Sequence, residues 1–170
     1  MLRRFIMTFA VVTNLILLDQ VVKEVSVRCL KPCSSVSVIP GFFNLTYVEN
    51  RGCAWGMLQN QVWLLIAIAL VMLGLLIWRS KWFFPEGKLG KVVQVLLYSG
   101  IVGNLWDRVF RGFVVDMFDF YWQIHHFPVF NVADVFISVA AGLLIISSVF
   151  SNKENETKNK KEEVSNGRNS

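Results

Sequence analysis

The chain has 170 residues, 54% of them hydrophobic and only 17% charged, with a net charge of +5 and a mean hydropathy of +0.49. Soluble domains of this size carry more charge and less apolar surface, so a water-soluble globular fold is excluded. The basic excess comes without aromatic–basic interleaving or a known nucleic-acid motif, and no nucleic-acid partner is expected.

The first apolar run, Phe5–Val22, follows Arg3 and Arg4 as a secretory signal would. No small-x-small cleavage site comes after it. Asp19, Gln20 and Lys23 come instead, and Val27-Arg28 before Cys29 does not suit lipidation, so the helix is expected to stay. Asp19 and Lys23 are four apart with the acid first, the better order for an ion pair on one helical face. A structural pair is the simpler reading, with substrate placement as the minority one.

The segment 24–61 is long enough to fold. Phe43–Val48 alternates like a strand, and Pro40-Gly41 before it suits a turn. A small sheet on the outer leaflet is expected, followed by a loop, Asn50–Gly56, in which Gly52 and Gly56 permit a tight turn and Trp55 suits the interface. Cys29, Cys33 and Cys53 are an odd set; a Cys29–Cys33 disulfide and free thiols both remain open.

Val62–Trp78 is continuously apolar, about 25 Å long as a helix. Leu89–Trp106 and Val132–Phe150 are similar in length with a few polar residues each. The fold expected is a membrane all-α core of four transmembrane helices (5–22, 62–78, 89–106, 132–150) with a small extracytoplasmic sheet and loop between helices one and two. The polar regions 24–61 and 107–131 lie outside, and residues 1–150 form one integral membrane domain. Beyond Phe150 only Val164 is aliphatic among alternating Lys and Glu, so 151–170 reads as a disordered cytoplasmic tail.

Basic residues set the orientation. With the N-terminus inside, Arg3, Arg4, Arg79, Lys81, Lys88, Lys91, Lys153, Lys158, Lys160, Lys161 and Arg168 are cytoplasmic. Lys23, Arg28, Lys31, Arg51, Arg108 and Arg111 are outside. Both termini are therefore expected in the cytoplasm.

This topology gathers the unusual residues at one depth. Asp19 and Lys23 fall at the outer end of helix one, and Asn104, Asp107 and Arg108 at that of helix three. Asn131 and Asp134 fall at the outer start of helix four, with Asp116 in the short connection before it. A carboxylate within apolar sequence is costly, roughly 2.5–3.5 kcal/mol at a bilayer centre, so Asp116 and Asp134 need partners. If they face each other one proton is shared, which sets an acid beside a base, the chemistry of an aspartyl peptidase. The bland alternative is a structural salt bridge to Arg108, about as good on composition alone.

Five blocks in order carry a resemblance: Asp19-Gln20 with Lys23; Asn50-Arg51-Gly52 with Ala54-Trp55-Gly56; Gly103-Asn104 with Asp107-Arg108; Val114-Val115-Asp116; and Phe130-Asn131 with Ala133-Asp134. From about Leu17 to Ser138 the chain resembles the bacterial lipoprotein signal peptidases (signal peptidase II). The resemblance implies a membrane aspartyl endopeptidase that removes signal peptides from diacylglyceryl-modified prolipoproteins. The cut is immediately before the lipidated cysteine, at the periplasmic side of the cytoplasmic (inner) membrane. By motif position it implies Asp116 and Asp134 as the catalytic pair. Asp19, Lys23, Asn50, Gly100, Asn104, Asp107, Arg108 and Asn131 match the supporting positions. It also implies inhibition by antibiotics such as globomycin. Two departures stand out: Ser99 where a second glycine is expected, and Asp119, an extra carboxylate three residues after Asp116.

The expected mechanism has the ionised member of the pair take a proton from a bound water while the protonated member donates to the scissile carbonyl. Which aspartate holds the proton is not assigned by sequence. No cofactor is expected, since His125-His126 are adjacent and point apart, with no third ligand for zinc. The expected partners are the lipid-modified prolipoprotein and membrane lipids, and the protein is expected to be a monomer. A serine–lysine peptidase using Ser99 and Lys23 fails on placement, because Ser99 lies about two turns inside helix three. A proton-coupled carrier predicts ionisable groups across the whole membrane, whereas here they gather at the outer face.

Overall fold

The computed structural model describes residues 2–166. Among them are four long helices, α1 (Leu2–Leu30), α2 (Val62–Trp78), α4 (Gly87–Phe110) and α5 (Val132–Asn166), and a single-turn α3 (Ser80–Phe83). Four strands, β1 (Ser35–Ile39), β2 (Phe43–Asn50), β3 (Val114–Trp122) and β4 (His125–His126), form one antiparallel sheet in the order β1-β2-β3-β4.

The expectation of four spans is met on length and hydropathy by two, Ile6–Leu30 and Val132–Phe150. Helix α2 is apolar throughout but shorter. Helix α4 is interrupted by Lys88, Lys91, Gln94, Asn104, Asp107 and Arg108. Its apolar surface and that of α2 are still open: Trp63 is 83% and Trp78 73% exposed at the two ends of α2. A helix that is apolar all round and uncovered by protein suits lipid rather than water.

Three helices outrun their expected bounds; α4 spans Gly87–Phe110 where 89–106 was expected, so Asp107 and Arg108 lie in its last turns and not beyond it. Helix α1 continues past Val22 to Leu30, where Glu24 and Arg28 form an i,i+4 pair at 2.8 Å. Helix α5 runs on past Phe150 to Asn166, through a Lys- and Glu-rich stretch of good helix formers. Residues 167–170 of the expected tail lie outside the described residues.

The larger difference is at Asp116. It lies on β3, beside β2, and not in a plain connection between helices. The run Val114–Trp122 is rich in β-branched and aromatic residues, and so favours a strand. Asn50 on β2 pairs with Val114, two residues before Asp116, so its side chain shares a face with the aspartate. The sheet expected from Phe43–Val48 alone thus reaches across to the residues that follow α4.

Helix α4 is the centre of the helical part, packed against α1, α2 and α5. Away from the sheet, Leu76, Phe84, Val93 and Ala140 form one core. Leu30, Val115 and Met117 form another, between α1 and the sheet. Where α4 passes α1 and α5 it carries Gly100 and Gly103. A Cβ on Gly100 would sit 2.5 Å from the Ala133 carbonyl oxygen and 2.6 Å from Ile137 Cγ1. One on Gly103 would sit 2.7 Å from Asp19 Oδ2. Gly100→Ala is expected to cost about 1–3 kcal/mol, as overpacking does, and to lower the midpoint of thermal unfolding in detergent. An unchanged midpoint would show that α4 and α5 separate freely at this crossing.

A short bridge completes the frame. Phe130 pairs with Phe118, its carbonyl accepting from the Met117 and Phe118 amides at 3.0 and 2.9 Å. The start of α5 is thereby hydrogen-bonded to β3, and Asn131 arrives beside Asp116.

Candidate active site

Asn131 precedes the first turn of α5, an N-cap position that Asn fills well. Its Oδ1 accepts from the Asp134 amide at 3.0 Å, and Asp134 Oδ2 accepts from the Asn131 amide at 3.2 Å. This reciprocal pair is a capping box with Asn and Asp in place of Ser and Glu. It fixes the Asp134 rotamer, and the first turn of a helix favours negative charge there.

The rest of the Asn131 amide reaches across the site. Its Nδ2 donates to Asp116 Oδ1 at 2.6 Å and to Asn104 Oδ1 at 3.2 Å. Asn104 Nδ2 donates to Asp134 Oδ1 at 2.7 Å, and Asn50 Nδ2 to Asp116 Oδ2 at 2.9 Å. Each carboxylate therefore has both oxygens held, and the single side chain of Asn131 touches both residues. Asp116 is 1% exposed. Burial, with the charge of Asp134 added, pushes its carboxyl up from 3.8 to about 7 against the opposing bonds from Asn50 and Asn131.

Behind the pair lies a second, fully buried group. Lys23 Nζ meets Asp19 Oδ2 at 2.8 Å, Asp107 Oδ2 at 3.0 Å and Asn104 Oδ1 at 3.0 Å. An ammonium has three N–H donors, and these acceptors match them. Asp19 Oδ1 accepts from the Ala133 amide of α5 at 2.9 Å, and Asp107 Oδ2 from the Val115 amide of β3 at 3.2 Å. The cluster thus ties α1, α4, α5 and β3 together around Asn104.

Arg108 lies within electrostatic reach of both aspartates but bonds neither directly. Among the described residues it makes no ion pair. Its Nη2 donates to the Gly52 carbonyl at 3.0 Å and its Nη1 to the Asn104 carbonyl at 3.4 Å, so it pins the Asn50–Gly56 loop to α4. Ser99 is buried and donates to the Val95 carbonyl at 2.7 Å. With Lys23 engaged elsewhere, no serine–lysine pair forms. Cys29, Cys33 and Cys53 are free.

Asp116 and Asp134 open on a cavity of about 440 Å³ that is also lined by Asn50, Asn104, Arg108, Cys53, Trp55 and Phe127, and by Val135, Ile137 and Val139 of α5. Trp55 and Phe127, whose ring centroids are 6.0 Å apart edge to face, join the loop to the segment before α5. Of the residues singled out in the sequence, Asn50, Asn104, Arg108, Asp116 and Asp134 line this cavity, and Asn131 bonds to both aspartates. Asp19, Lys23 and Asp107 stand behind, and Gly100 serves the helix crossing. The parts missing from the sequence reading are Phe127 and the backbone donors of Val115 and Ala133. For the backbone donors no residue-type signal exists.

A family model described as signal peptidase (SPase) II matches residues 11–150. The chain belongs to the signal peptidase II family. It is 38% identical over 149 residues to a lipoprotein signal peptidase of Syntrophotalea carbinolica, covering 86% of this chain and 92% of that one. It is 41% identical over 137 residues to one of Symbiobacterium thermophilum, covering 79% and 88%. In structure it is similar to a bacterial membrane enzyme solved by the in meso method at 2.3 Å resolution. That match has a TM-score of 0.76 and 28% identity, over 87% of this chain and 90% of the other. This signal peptidase II chain is thus a membrane peptidase, mostly helical with a small antiparallel sheet.

Proposed function

We propose that the chain is an aspartyl endopeptidase of the bacterial cytoplasmic membrane that cuts diacylglyceryl-modified prolipoproteins immediately before the lipidated cysteine. The observation that carries this is Asn131, one amide hydrogen-bonded to Asp116 and packed in a reciprocal cap with Asp134. Asp116 is the acid: buried, it keeps its proton to about pH 7. Asp134, at the positive end of α5, is the base. Asp134 takes a proton from a water lying between the two carboxyls, the water attacks the scissile carbonyl, and Asp116 protonates the carbonyl oxygen. The proton held by Asp134 then passes to the leaving amine as the C–N bond breaks, and the collapsing gem-diol returns a proton to Asp116, which restores the starting pair.

The four long helices serve as four spans, with both termini cytoplasmic and the sheet, the Asn50–Gly56 loop and the catalytic pair on the periplasmic side. Substrate enters sideways from the lipid, and a globomycin-type inhibitor competes for the same cavity. The chain acts as a monomer.

The test is incubation of the purified chain with a diacylglyceryl prolipoprotein in detergent, with the product mass read. The expected product begins at the lipidated cysteine; a cut elsewhere, or none by folded protein, overturns the assignment. The pH profile has a definite sign. An acid raised to about 7 is protonated below that pH and loses its proton above it. In the free enzyme kcat/KM is therefore expected to fall above about pH 7, approaching tenfold per unit. A rate that rises through pH 8 would remove Asp116 from the acid role.

A further inference from the structure

Beta strand β3 carries another buried carboxylate, Asp119, 5% exposed. Its Oδ1 is 2.8 Å from His126 Nδ1, and its Oδ2 accepts from the Thr46 hydroxyl at 3.2 Å, which is itself 2.9 Å from the Ser35 hydroxyl. The His126 ring also stacks on Tyr121, centroids 5.1 Å apart and 12° from parallel. The imidazole is thus fixed on one edge and one face. Since the carboxylate accepts, Nδ1 carries the shared hydrogen. Nε2 has no hydrogen-bond partner among the described residues, although the side chain is 54% exposed.

His126 borders a cavity of about 470 Å³ whose lining includes Glu49 and Gln59. This cavity shares Asn50, Trp55, Asp116 and Phe127 with the one that holds Asp134. The two cavities adjoin, with Asp116 in the wall of both. One is bounded by Val135, Ile137 and Val139 of α5; the other adds Glu49, Gln59 and His126 beside Val48. A signal peptide is apolar and embedded in lipid. The chain beyond the cut is polar and leaves into water.

We propose that the cavity bordered by His126 is the subsite for the mature segment following the lipidated cysteine. There His126, held by Asp119, is a positioning residue that bonds the substrate backbone through Nε2. This rests on the peptidase function proposed above and adds to it which way the substrate lies across the two cavities and a residue that reads it.

The experiment uses the full chain in detergent and two diacylglyceryl substrates identical up to the lipidated cysteine. One continues for several mature residues; the other ends at the cysteine amide. Wild type is expected to favour the long substrate in kcat/KM. His126→Asn places an amide where Nδ1 bonds Asp119 but removes the outer nitrogen. It is expected to reduce that preference about tenfold, the scale of one hydrogen bond, chiefly through KM. His126→Gln, which returns an outer donor and acceptor, is expected to restore part of it. A preference unchanged in His126→Asn, or an equal loss on both substrates, would make the His126–Asp119 pair a structural pin and overturn the proposal. Equal cleavage of both substrates by wild type would overturn it as well. Failure of wild type to cut either substrate would instead overturn the peptidase function on which it rests.

Discussion

Asp116→Asn and Asp134→Asn are each expected to lower cleavage about 10²–10⁴-fold, the usual range for a lost general acid or base. The two losses have different origins. Asp116→Asn keeps a side chain that is neutral, as the protonated acid is, but its amide hydrogens are not transferable to a carbonyl oxygen. Asp134→Asn removes the group that takes the proton from water. Both changes also place an amide NH₂ where one carboxylate oxygen faces a donor, Asn131 Nδ2 or Asn50 Nδ2 for Asp116, and Asn104 Nδ2 or the Asn131 amide for Asp134. A mismatched buried donor costs about 1–3 kcal/mol, so each variant is to be followed by its unfolding midpoint as well as by product formation. Loss of cleavage with a folded, membrane-inserted protein supports the pair. Substantial activity in both variants would end the two-aspartate mechanism, and activity in one alone would break the division into acid and base.

Lys23→Met is expected to destabilise the protein by about 3–5 kcal/mol, the cost of removing one partner from a buried ion pair. Lys23, Asp19 and Asp107 are all 0% exposed, so the substitution leaves Asp19 in a dry environment with no cation against it and Asp107 with only Arg111, whose Nε is 3.4 Å from its Oδ1. The consequence spreads, because these carboxylates also accept from the amides of Ala133 and Val115. The first of those lies in the first turn of the helix that carries Asp134, and the second is next to Asp116. Thermal unfolding in detergent gives the number. The double variant Lys23→Met with Asp19→Asn is expected to be less destabilised than the sum of its parts, since the second change removes the charge that the first left unpaired. Additive losses would mean that the two residues do not share an electrostatic site.

The helix crossing and the buried polar cluster are reached by different substitutions. A change at Gly100 presses first on α5, at the Ala133 carbonyl and Ile137. Changes at Lys23 reach the site through Asn104, which takes a bond from Lys23 and gives one to Asp134. Asn104 is therefore the junction between the part of the cluster that holds the fold and the part that faces the cavity.

Much of this was legible in residue order alone. Hydropathy runs place the helices, because an apolar stretch must leave water whatever its neighbours are. α2 begins and ends where its run does, at Val62 and Trp78. The spacing of Asp19 and Lys23 forecasts their pair, since residues four apart on a helix meet without help from tertiary structure. Polar residues in otherwise apolar sequence mark the site, because each needs a partner in the fold.

Tertiary structure alone decided which partner each residue has. The sequence offers Arg108 as a salt-bridge partner of the aspartates, yet its guanidinium bonds the Gly52 and Asn104 carbonyls and reaches the carboxylates only through space. Asp116 occupies a strand because β2, far away in the chain, provides an edge for Val114–Trp122 to pair with, and strand pairing is non-local. The orientation of the two carboxyls depends on Asn131, whose place beside Asp116 is set by the Phe118–Phe130 bridge. The donors to Asp19 and Asp107 are backbone amides, which every residue but proline carries. No residue type announces them, and only the folded chain selects the ones that point at a carboxylate.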